Sequence, residues 1–376
     1  MLVGGLRTNM TVLVIGAAVF ITAMAGLIYN QLDSPSESDA EIISTPDVAS
    51  KEKQEATSPD AEADFQKSLW FDMYKPSVKP DAPTYKQYGV AKHTLKTKPA
   101  FTEPLGEDFC IIDLDSRPFS EPFQIFGPEI LSWDRFDKVH GLAMGFLNHW
   151  LYAKVHGYKY YYIAAGTYGT RRDSWKKPTI ITKILQKHKA CVYLDSDAIF
   201  NNLDLPFEWL MNYWDLDPAN NSLALAYDPE AKGNEDNHGK INLNTGFIIS
   251  QNNEKTFEIM DAWDKCTEPD GKYPGCEEFR KAAPGRPTDQ GGFGSYVRYD
   301  YPTEIKSLPC QEANGFPGSN SGCEGTFIRH VWTGKDSWLK AFVGQQVLGP
   351  FLESFHKEFL AEKDSFYITE EVLMSS

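Results

Sequence analysis

The strongest constraint on the fold is an alternation of apolar, strand-like runs with longer, helix-like runs. The runs at 109–115 (FCIIDLD), 158–165 (YKYYYIAA) and 190–194 (ACVYL) are almost continuously apolar or aromatic. Strands that lack a polar face are typical of a parallel sheet whose two faces are covered by helices. The runs between them fit helices, so we predict an α/β fold built on a parallel sheet.

Both connecting runs show helical spacing. In the first, apolar residues recur every three or four positions, at Phe136, Val139, Leu142, Phe146, Trp150 and Ala153. Gly157 is expected to end this helix, predicted over 136–155, and Pro178 to begin a second one, PTIITKILQKH. Further strands are predicted downstream, at SLALAY (222–227), GFIIS (246–250) and TFIRHVW (326–332), with a helix at EKTFEIMDAWDKC (254–266).

Two aspartates, Asp195 and Asp197, directly follow the third strand-like run, in CVYLDSDAIF (191–200). In open α/β sheets, ligands bind beyond the carboxyl ends of the strands. Two carboxylates one residue apart can face a single hard cation, and Mg²⁺ and Mn²⁺ prefer oxygen ligands while leaving positions for substrate phosphates. The pattern therefore predicts a divalent-metal site. The alternative is an acidic loop that caps a helix.

An ordered set of segments resembles the galactosyltransferase/mannosyltransferase family. The segments are NHWLYAKVHGYKYYY, SWKKPTIITKILQKHKACVYLDSDAIFNNLDLPFEWL, NLNTGFIIS, PTDQGGFGSYV and RHVWTGKDSW. This family, glycosyltransferase family 34, includes fungal α-galactosyl- and α-mannosyltransferases and plant xyloglucan xylosyltransferases. The resemblance implies a GT-A fold, which is a Rossmann-like nucleotide-sugar-binding fold. It also implies transfer of a hexose or pentose to a glycan acceptor, with retention of anomeric configuration.

The same resemblance implies roles for individual residues around the metal. Asp195, Asp197 and His330 would ligate Mn²⁺, with Mg²⁺ as the alternative ion. Ser196 would lie near the nucleotide ribose, and Lys335 would contact the donor phosphates. The residue types agree with these roles, because a neutral imidazole can ligate Mn²⁺ and an ammonium group suits a diphosphate.

Two further implied roles concern the transferred sugar. Asp289 would orient the sugar hydroxyl groups. Gln290 would stabilise the transition state on the face opposite the leaving group, since an amide is a poor nucleophile. The alternative is a purely structural one, in which Thr288 or Asp289 caps the start of a helix.

Asn244, Thr245 and Gly246 would form the donor-binding turn before a strand that lines the sugar pocket. Turn chemistry alone would also explain this tripeptide. Trp332 and Trp338 could line an acceptor groove, but we expect them to pack in the core.

Two other functions compete with glycosyl transfer. FCIIDLDSRPF ends a strand with Asp113 and Asp115, as in phosphatases that use an aspartate nucleophile, but Arg117 stands where those enzymes need Thr or Val. The other alternative is a non-catalytic lumenal module that keeps the same fold for sugar binding or assembly. An assay of nucleotide-sugar turnover distinguishes a glycosyltransferase from a phosphatase and from a non-catalytic module.

The chain has six cysteines among 376 residues, too few for a disulfide scaffold. Two pairs bracket polar loops and are predicted to form disulfides in an oxidising compartment: Cys266 with Cys276, and Cys310 with Cys323. The other two, Cys110 and Cys191, lie in apolar strand-like runs, where we predict buried free thiols.

Residues 11–29 (TVLVIGAAVFITAMAGLIY) carry no charge and are long enough to cross a bilayer, which takes about 20 helical residues. Arg7 precedes this run and an acidic segment follows it, so the positive-inside rule places residues 1–10 in the cytosol. We predict a single-pass type II Golgi membrane protein with a lumenal catalytic domain. The alternative is a signal peptide cleaved after AMA (23–25).

The rest of the chain divides by composition. Residues 30–105 are predicted to form a flexible acidic stem and entry segment, because their first half has few bulky apolar residues. Residues 106–376 are predicted to form the catalytic domain. The formal charge of -15 argues against a nucleic-acid partner. The expected partners are a nucleotide-diphosphate sugar, a glycan acceptor and, through the N-terminal helix, a membrane.

Overall fold

The computed structural model describes residues 74–375, except 88–90, 282–287 and 348. The predicted membrane-spanning run and residues 30–73 of the predicted stem lie outside the described residues. Within the described ranges, no helix has the length and apolar character needed to cross a bilayer.

The centre of the fold is a seven-stranded sheet. Its strands are β3 (Phe109–Asp115), β4 (Lys159–Ala164), β5 (Ala190–Leu194), β7 (Leu223–Tyr227), β8 (Leu243–Gln251), β9 (Ile305–Leu308) and β11 (Tyr367–Thr369). From one edge of the sheet to the other, their order is β11-β4-β3-β5-β8-β7-β9. The predicted parallel arrangement is confirmed for β3, β4 and β5.

The sheet is mixed rather than wholly parallel, because β8 runs antiparallel to both β5 and β7. The segment between β7 and β8 contains only one short helical turn, Lys232–Asn234. A parallel neighbour needs a long crossover connection, usually a helix, whereas an antiparallel neighbour does not. The sequence between SLALAY and GFIIS carries no helical pattern, which agrees with an antiparallel pairing of β7 with β8.

Two smaller sheets complete the strands. β1 (Thr84–Gln87) pairs with β2 (Ala91–Thr94), and β6 (Ala198–Phe200) pairs antiparallel with β10 (Ile328–His330). In the second pair, His330 lies opposite Ala198. This register brings a residue from late in the chain next to the two aspartates that flank Ser196.

The helices cover both faces of the sheet. They are α1 (Gly141–His156), α2 (Lys177–Leu185), α3 (Phe207–Tyr213), α4 (Glu254–Asp264), α5 (Asp289–Gly292), α6 (Arg298–Asp300), α7 (Cys310–Ala313), α8 (Lys335–Gln346), α9 (Gly349–Ala361), α10 (Lys363–Phe366) and α11 (Glu370–Ser375). Alternate residues of β3 point to opposite faces. Phe109 and Ile111 pack in the core that contains α1, and Cys110 and Ile112 pack in the core that contains α2 and α4.

Helix α1 begins later than the apolar spacing predicts. It starts at Gly141 instead of Phe136, and it ends at Gly157 with a positive φ of 71°, as predicted. The Gly141 N–H donates to Asp336 Oδ1 at 2.8 Å, so a side chain from α8 fixes the first turn. Sequence spacing does not reveal such a long-range cap.

The disulfide predictions are confirmed for two pairs and wrong for the third. Cys266 is bonded to Cys276 and Cys310 to Cys323. Cys110 and Cys191 are also bonded to each other, with 4.4 Å between their Cα atoms, rather than being free thiols. They are directly paired in register on the adjacent strands β3 and β5, an adjacency that the linear sequence does not show.

Replacing both Cys110 and Cys191 by alanine is expected to lower the free energy of unfolding by about 4 kcal/mol, because long closed loops restrict the unfolded chain most. Their bond joins residues separated by 81 positions. The bond between Cys266 and Cys276 spans 10 positions, and its removal is expected to cost about 3 kcal/mol. Urea unfolding measures both. A larger loss of unfolding free energy on removing the Cys266–Cys276 bond than on removing the Cys110–Cys191 bond would contradict this prediction.

Candidate functional site

A cleft of about 560 Å³ lies beyond the carboxyl ends of β3 and β5. It is lined by charged and polar residues from these strand ends, from β8, and from the starts of α2, α5 and α8: Asp115, Ser116, Arg117, Arg172, Asp173, Ser174, Lys177, Tyr193, Asp195, Ser196, Asp197, Thr245, Thr288, Asp289, Gln290 and Lys335. The cleft thus contains most of the residues that the sequence singles out, at the sheet edge where ligands are expected.

Asp195, Asp197 and His330 form one cluster. One potential ligand atom from each lies within 4.8 Å of the others. The turn between β5 and β6 places the two carboxylates, and the pairing of β6 with β10 brings His330 beside them. The structure therefore assembles the three residues that the sequence assigns to a metal.

His330 is oriented by a hydrogen bond from its other ring nitrogen. Its Nδ1 lies 2.8 Å from Asn314 Oδ1, which leaves Nε2 facing Asp197 Oδ1 at 3.4 Å. Because an amide oxygen can only accept, Nδ1 carries the proton in the neutral ring and Nε2 keeps its lone pair. A metal-ligating histidine needs this arrangement.

The backbone beneath the cluster leaves room for a bound ion. A Cβ placed on Gly246 would lie 2.6 Å from His330 Cε1 and 3.0 Å from Asp195 Oδ2, so a larger residue would push these ligands out of place. Two carboxylates and one imidazole suit Mn²⁺, and carboxylates also suit Mg²⁺. The donor set and the glycine together fit a divalent cation.

Cations surround this acidic cluster. Lys335 Nζ lies 2.5 Å from Asp197 Oδ2, and Arg117 Nη2 lies 3.5 Å from Ser196 Oγ. Burial lowers the pKa of His330 and favours a protonated Asp197, but without a bound cation the attraction between the two groups reverses both effects. Protonated His330 and Lys335 thus lower the pKa of Asp197 below its ordinary value, and His330 would lose the Nε2 proton when it ligates a cation. Asp197 is therefore ionised, as a metal ligand must be.

Lys177 connects the metal cluster to the predicted sugar-binding residues. It is buried, and its Nζ lies 3.1 Å from Asp195 Oδ1 and 3.3 Å from Asp289 Oδ2. It also donates to the Thr245 carbonyl at 2.9 Å. Burial lowers the pKa of Lys177, but the two aspartates reverse the effect and raise it above its ordinary value. The ammonium group therefore stays charged between two carboxylates.

Asp289 and Gln290 form the first turn of α5. Asp289 Oδ2 accepts from Thr245 Oγ1 at 3.0 Å, and Lys177 lowers the pKa of Asp289 against the opposing effect of burial. Thr288 precedes the helix, but its side chain does not cap it; the hydroxyl instead lies 3.1 Å from Ser174 Oγ. Helix capping therefore does not explain these side chains.

The interpretation of Asn244, Thr245 and Gly246 as a turn before a strand is wrong. All three lie inside β8, which extends to Leu243 because this residue pairs with Tyr227. Of the three, Thr245 lines the cleft and the other two do not. Asn244 Oδ1 accepts from the Gly246 N–H at 2.7 Å, which holds the backbone close to the metal cluster.

The sequence did not single out several residues of this site, among them Lys177, Tyr193 and Asn314. Tyr193 donates to Asp195 Oδ1, and Asn314 bonds to His330. Asp228 was also missed, although it follows strand β7 directly, as Asp195 follows β5. A polar residue at a strand end was the available signal for Asp228; the others carry no such pattern.

The phosphatase alternative does not fit the structure. Asp113, which would be the nucleophile, is fully buried and bonded to His149 Nδ1 at 2.8 Å. Asp115 is held by Arg117, whose Nη2 donates to Asp115 Oδ2 at 2.6 Å. Neither carboxylate is free to attack a phosphate ester.

Trp332 and Trp338 are partly exposed, which corrects their assignment to the core. Their rings pack edge-on against Phe316, with centroids 5.4 and 5.5 Å away. Phe316 belongs to the loop closed by the bond between Cys310 and Cys323. The two tryptophans thus flank this loop, and the centroid of the Trp332 ring lies 6.2 Å from that of the His330 ring.

Residues 137–283 match the sequence model of the galactosyl transferase GMA12/MNN10 family. This range contains Asp195 and Asp197 and ends before Asp289. Xyloglucan 6-xylosyltransferase 1 of Arabidopsis thaliana is 27% identical over 135 residues, which are 33% of this chain and 26% of the relative. The match thus spans about a quarter of the length of that relative.

Two solved structures are also similar. One is a glycosyltransferase involved in the glycosylation of the major capsid of PBCV-1, with a TM-score of 0.43, 16% identity, and coverage of 64% of this chain and 99% of that chain. The other is the glycosyltransferase GlyE of Streptococcus pneumoniae TIGR4, with a TM-score of 0.35, 12% identity, and coverage of 69% and 65%. The two sequence matches support the resemblance to the galactosyltransferase/mannosyltransferase family.

Proposed function

We propose that this protein is a glycosyltransferase that uses a divalent cation, Mn²⁺ in preference to Mg²⁺. It would move a hexose or pentose from a nucleotide-diphosphate sugar to a glycan with retention of configuration. The observation that carries the proposal is the cluster of Asp195, Asp197 and His330, whose two aspartates line the cleft. A cation held there would neutralise the diphosphate as the glycosidic bond breaks.

The chain itself supplies further groups for the donor. Arg117, Arg172 and Lys335 line the cleft, and guanidinium and ammonium groups bind phosphate oxygens. Ser196 lies between the two metal-ligating aspartates, where we place the ribose. The mixed sheet, with three parallel strands ending at the cleft, supports assignment to the GT-A fold.

The sugar would lie over Thr245, Asp289 and Gln290. Asp289 is ionised and held by Lys177 and Thr245, so it can accept hydrogen bonds from sugar hydroxyl groups. Gln290 supplies an amide dipole that stabilises positive charge at the anomeric carbon. These roles leave the acceptor hydroxyl to attack on the face of the leaving group, which gives retention.

The N-terminal sequence supports a place in a secretory membrane. An uncharged run at 11–29 follows Arg7, and the described part of the chain holds three disulfides, which persist in oxidising compartments. We propose a type II Golgi membrane protein whose residues 106–376 form the lumenal catalytic domain.

The proposal is tested with UDP-galactose, GDP-mannose and UDP-xylose, each incubated with the protein and Mn²⁺ in the presence and absence of EDTA. We expect hydrolysis of one donor at a rate that EDTA lowers by at least about tenfold. Turnover unaffected by EDTA would contradict metal dependence. Donor binding without any turnover would favour the non-catalytic module.

A further inference from the structure

Asp228 is a buried carboxylate at the end of β7 that lies behind the predicted catalytic residues. Its Oδ1 accepts from Asn244 Nδ2 at 2.8 Å and from Asn314 Nδ2 at 3.2 Å. Its Oδ2 accepts from Gln290 Nε2 at 2.6 Å. One carboxylate therefore receives hydrogen bonds from three side-chain amides, each with its N–H₂ group turned towards Asp228.

Both ends of the Gln290 amide are fixed. While Nε2 donates to Asp228, Oε1 accepts from the Thr245 N–H at 3.2 Å. A flipped amide would place its oxygen against a carboxylate and its N–H₂ against a backbone N–H, so both contacts would become repulsive. The electrostatics thus allow one orientation of the amide.

This orientation decides which end of the amide lies towards the donor. Among the described residues, Thr245 and Gln290 line the cleft and Asp228 does not. The amide oxygen of Gln290 bonds to a residue that lines the cleft and the amide nitrogen bonds to one that does not, so we place the oxygen on the side of the cleft. A partial negative charge on this side favours a sugar that develops positive charge.

We infer that Asp228 is a positioning residue, which holds the Gln290 amide with its oxygen towards the reacting sugar. This role rests on the proposed function of the cleft, and it acts on the rate of sugar transfer rather than on donor binding. No other charged group of the described residues donates to or accepts from the Gln290 side chain in the structure.

Asp228→Asn is a near-isosteric test of this role. If the N–H₂ group of the new asparagine took the place of Oδ1, this group would face the N–H₂ groups of both Asn244 and Asn314. If the N–H₂ group took the place of Oδ2, it would face only the N–H₂ group of Gln290. The second arrangement has fewer donor–donor contacts, so the variant should turn its N–H₂ towards Gln290 and reverse the amide there.

The matching exchange is Gln290→Glu, which puts a carboxylate at position 290 opposite Asp228. Alone, it sets two carboxylates against each other. Combined with Asp228→Asn, it restores a donor facing an acceptor, and the carboxylate can still accept from the Thr245 N–H. The wild type and the three variants exchange the hydrogen-bond donor and acceptor between positions 228 and 290. A merely structural role of Asp228 would not predict that the double variant recovers activity.

The experiment measures kcat and KM for hydrolysis of UDP-galactose, GDP-mannose and UDP-xylose, using the whole protein with Mn²⁺. We expect Asp228→Asn to lower kcat at least about tenfold with the donor KM unchanged. Asp228→Asn combined with Gln290→Glu should recover several-fold of the kcat lost by Gln290→Glu alone. Glu230→Gln, which removes an exposed carboxylate two residues away, is the control and should leave kcat unchanged.

Urea unfolding of the same variants tests the hydrogen bond between Asp228 and Gln290 in the absence of a nucleotide sugar. We expect each single exchange to lower the unfolding midpoint and the double exchange to lower it by less than the sum.

An unchanged kcat in Asp228→Asn, or a double variant no better than Gln290→Glu, overturns the positioning role. If Asp228→Asn fails to fold, the comparison of Gln290→Glu with the double variant still decides. A wild type that turns over no donor instead overturns the proposed function, and the positioning role with it.

Discussion

Replacing Asp197 by asparagine is expected to lower donor turnover about 10²-fold to 10³-fold, because a metal ligand contributes several kcal/mol of charge stabilisation in the transition state. Asp197 is buried, with Oδ1 facing His330 and Oδ2 facing Lys335. Asparagine keeps the shape but loses the charge and one acceptor oxygen.

A binding measurement and a control variant accompany this turnover assay. Mn²⁺ binding, followed by the electron paramagnetic resonance signal of the free ion, should weaken in Asp197→Asn. The matched control is Asp270→Asn, which removes an exposed carboxylate and should change neither turnover nor Mn²⁺ binding. Wild-type turnover together with wild-type Mn²⁺ affinity in Asp197→Asn would refute the assignment of the metal site.

Replacing Lys177 by methionine is expected to lower the free energy of unfolding by about 3 kcal/mol or more, because removing one partner from a buried ion pair leaves an uncompensated charge. Lys177 lies between Asp195 and Asp289, and only 6% of its side chain is exposed. Turnover should fall as well, since both carboxylates lose the group that holds them apart.

Lys189→Met is the matched control for Lys177→Met. Lys189 also pairs with an aspartate, Asp108, at 2.7 Å, but its side chain is 69% exposed. Exposed pairs contribute about 1 kcal/mol or less. Urea unfolding of the two variants therefore compares a buried pair with an exposed one. Equal, small losses would show that the carboxylates around Lys177 are compensated by other groups.

The strands and helices of the first half could be predicted because their apolar patterns are local. β3, β4, β5 and α2 follow runs that are continuous or periodic in the sequence. The disulfide between Cys110 and Cys191 could not be predicted in this way. It depends on which strands become neighbours, and that adjacency is settled only when the whole sheet is assembled.

The candidate site shows the same division. Asp195 and Asp197 follow an apolar strand directly, so their position at the sheet edge follows from local pattern. His330 was identified through a resemblance to a family, since nothing local links it to residue 197. Lys177 and Asp228 matter through the groups they contact, and those contacts exist only in three dimensions.

The pairing of β6 with β10 also constrains how the candidate metal site is assembled on the ribosome. The chain emerges from its N-terminus, and domains tend to fold in that order, so the two aspartates leave the exit tunnel long before His330. Until β10 has been synthesised and has paired with β6, the nascent chain lacks the imidazole. A product truncated before β10 would therefore keep much of its sheet and yet hold the ion with carboxylates alone.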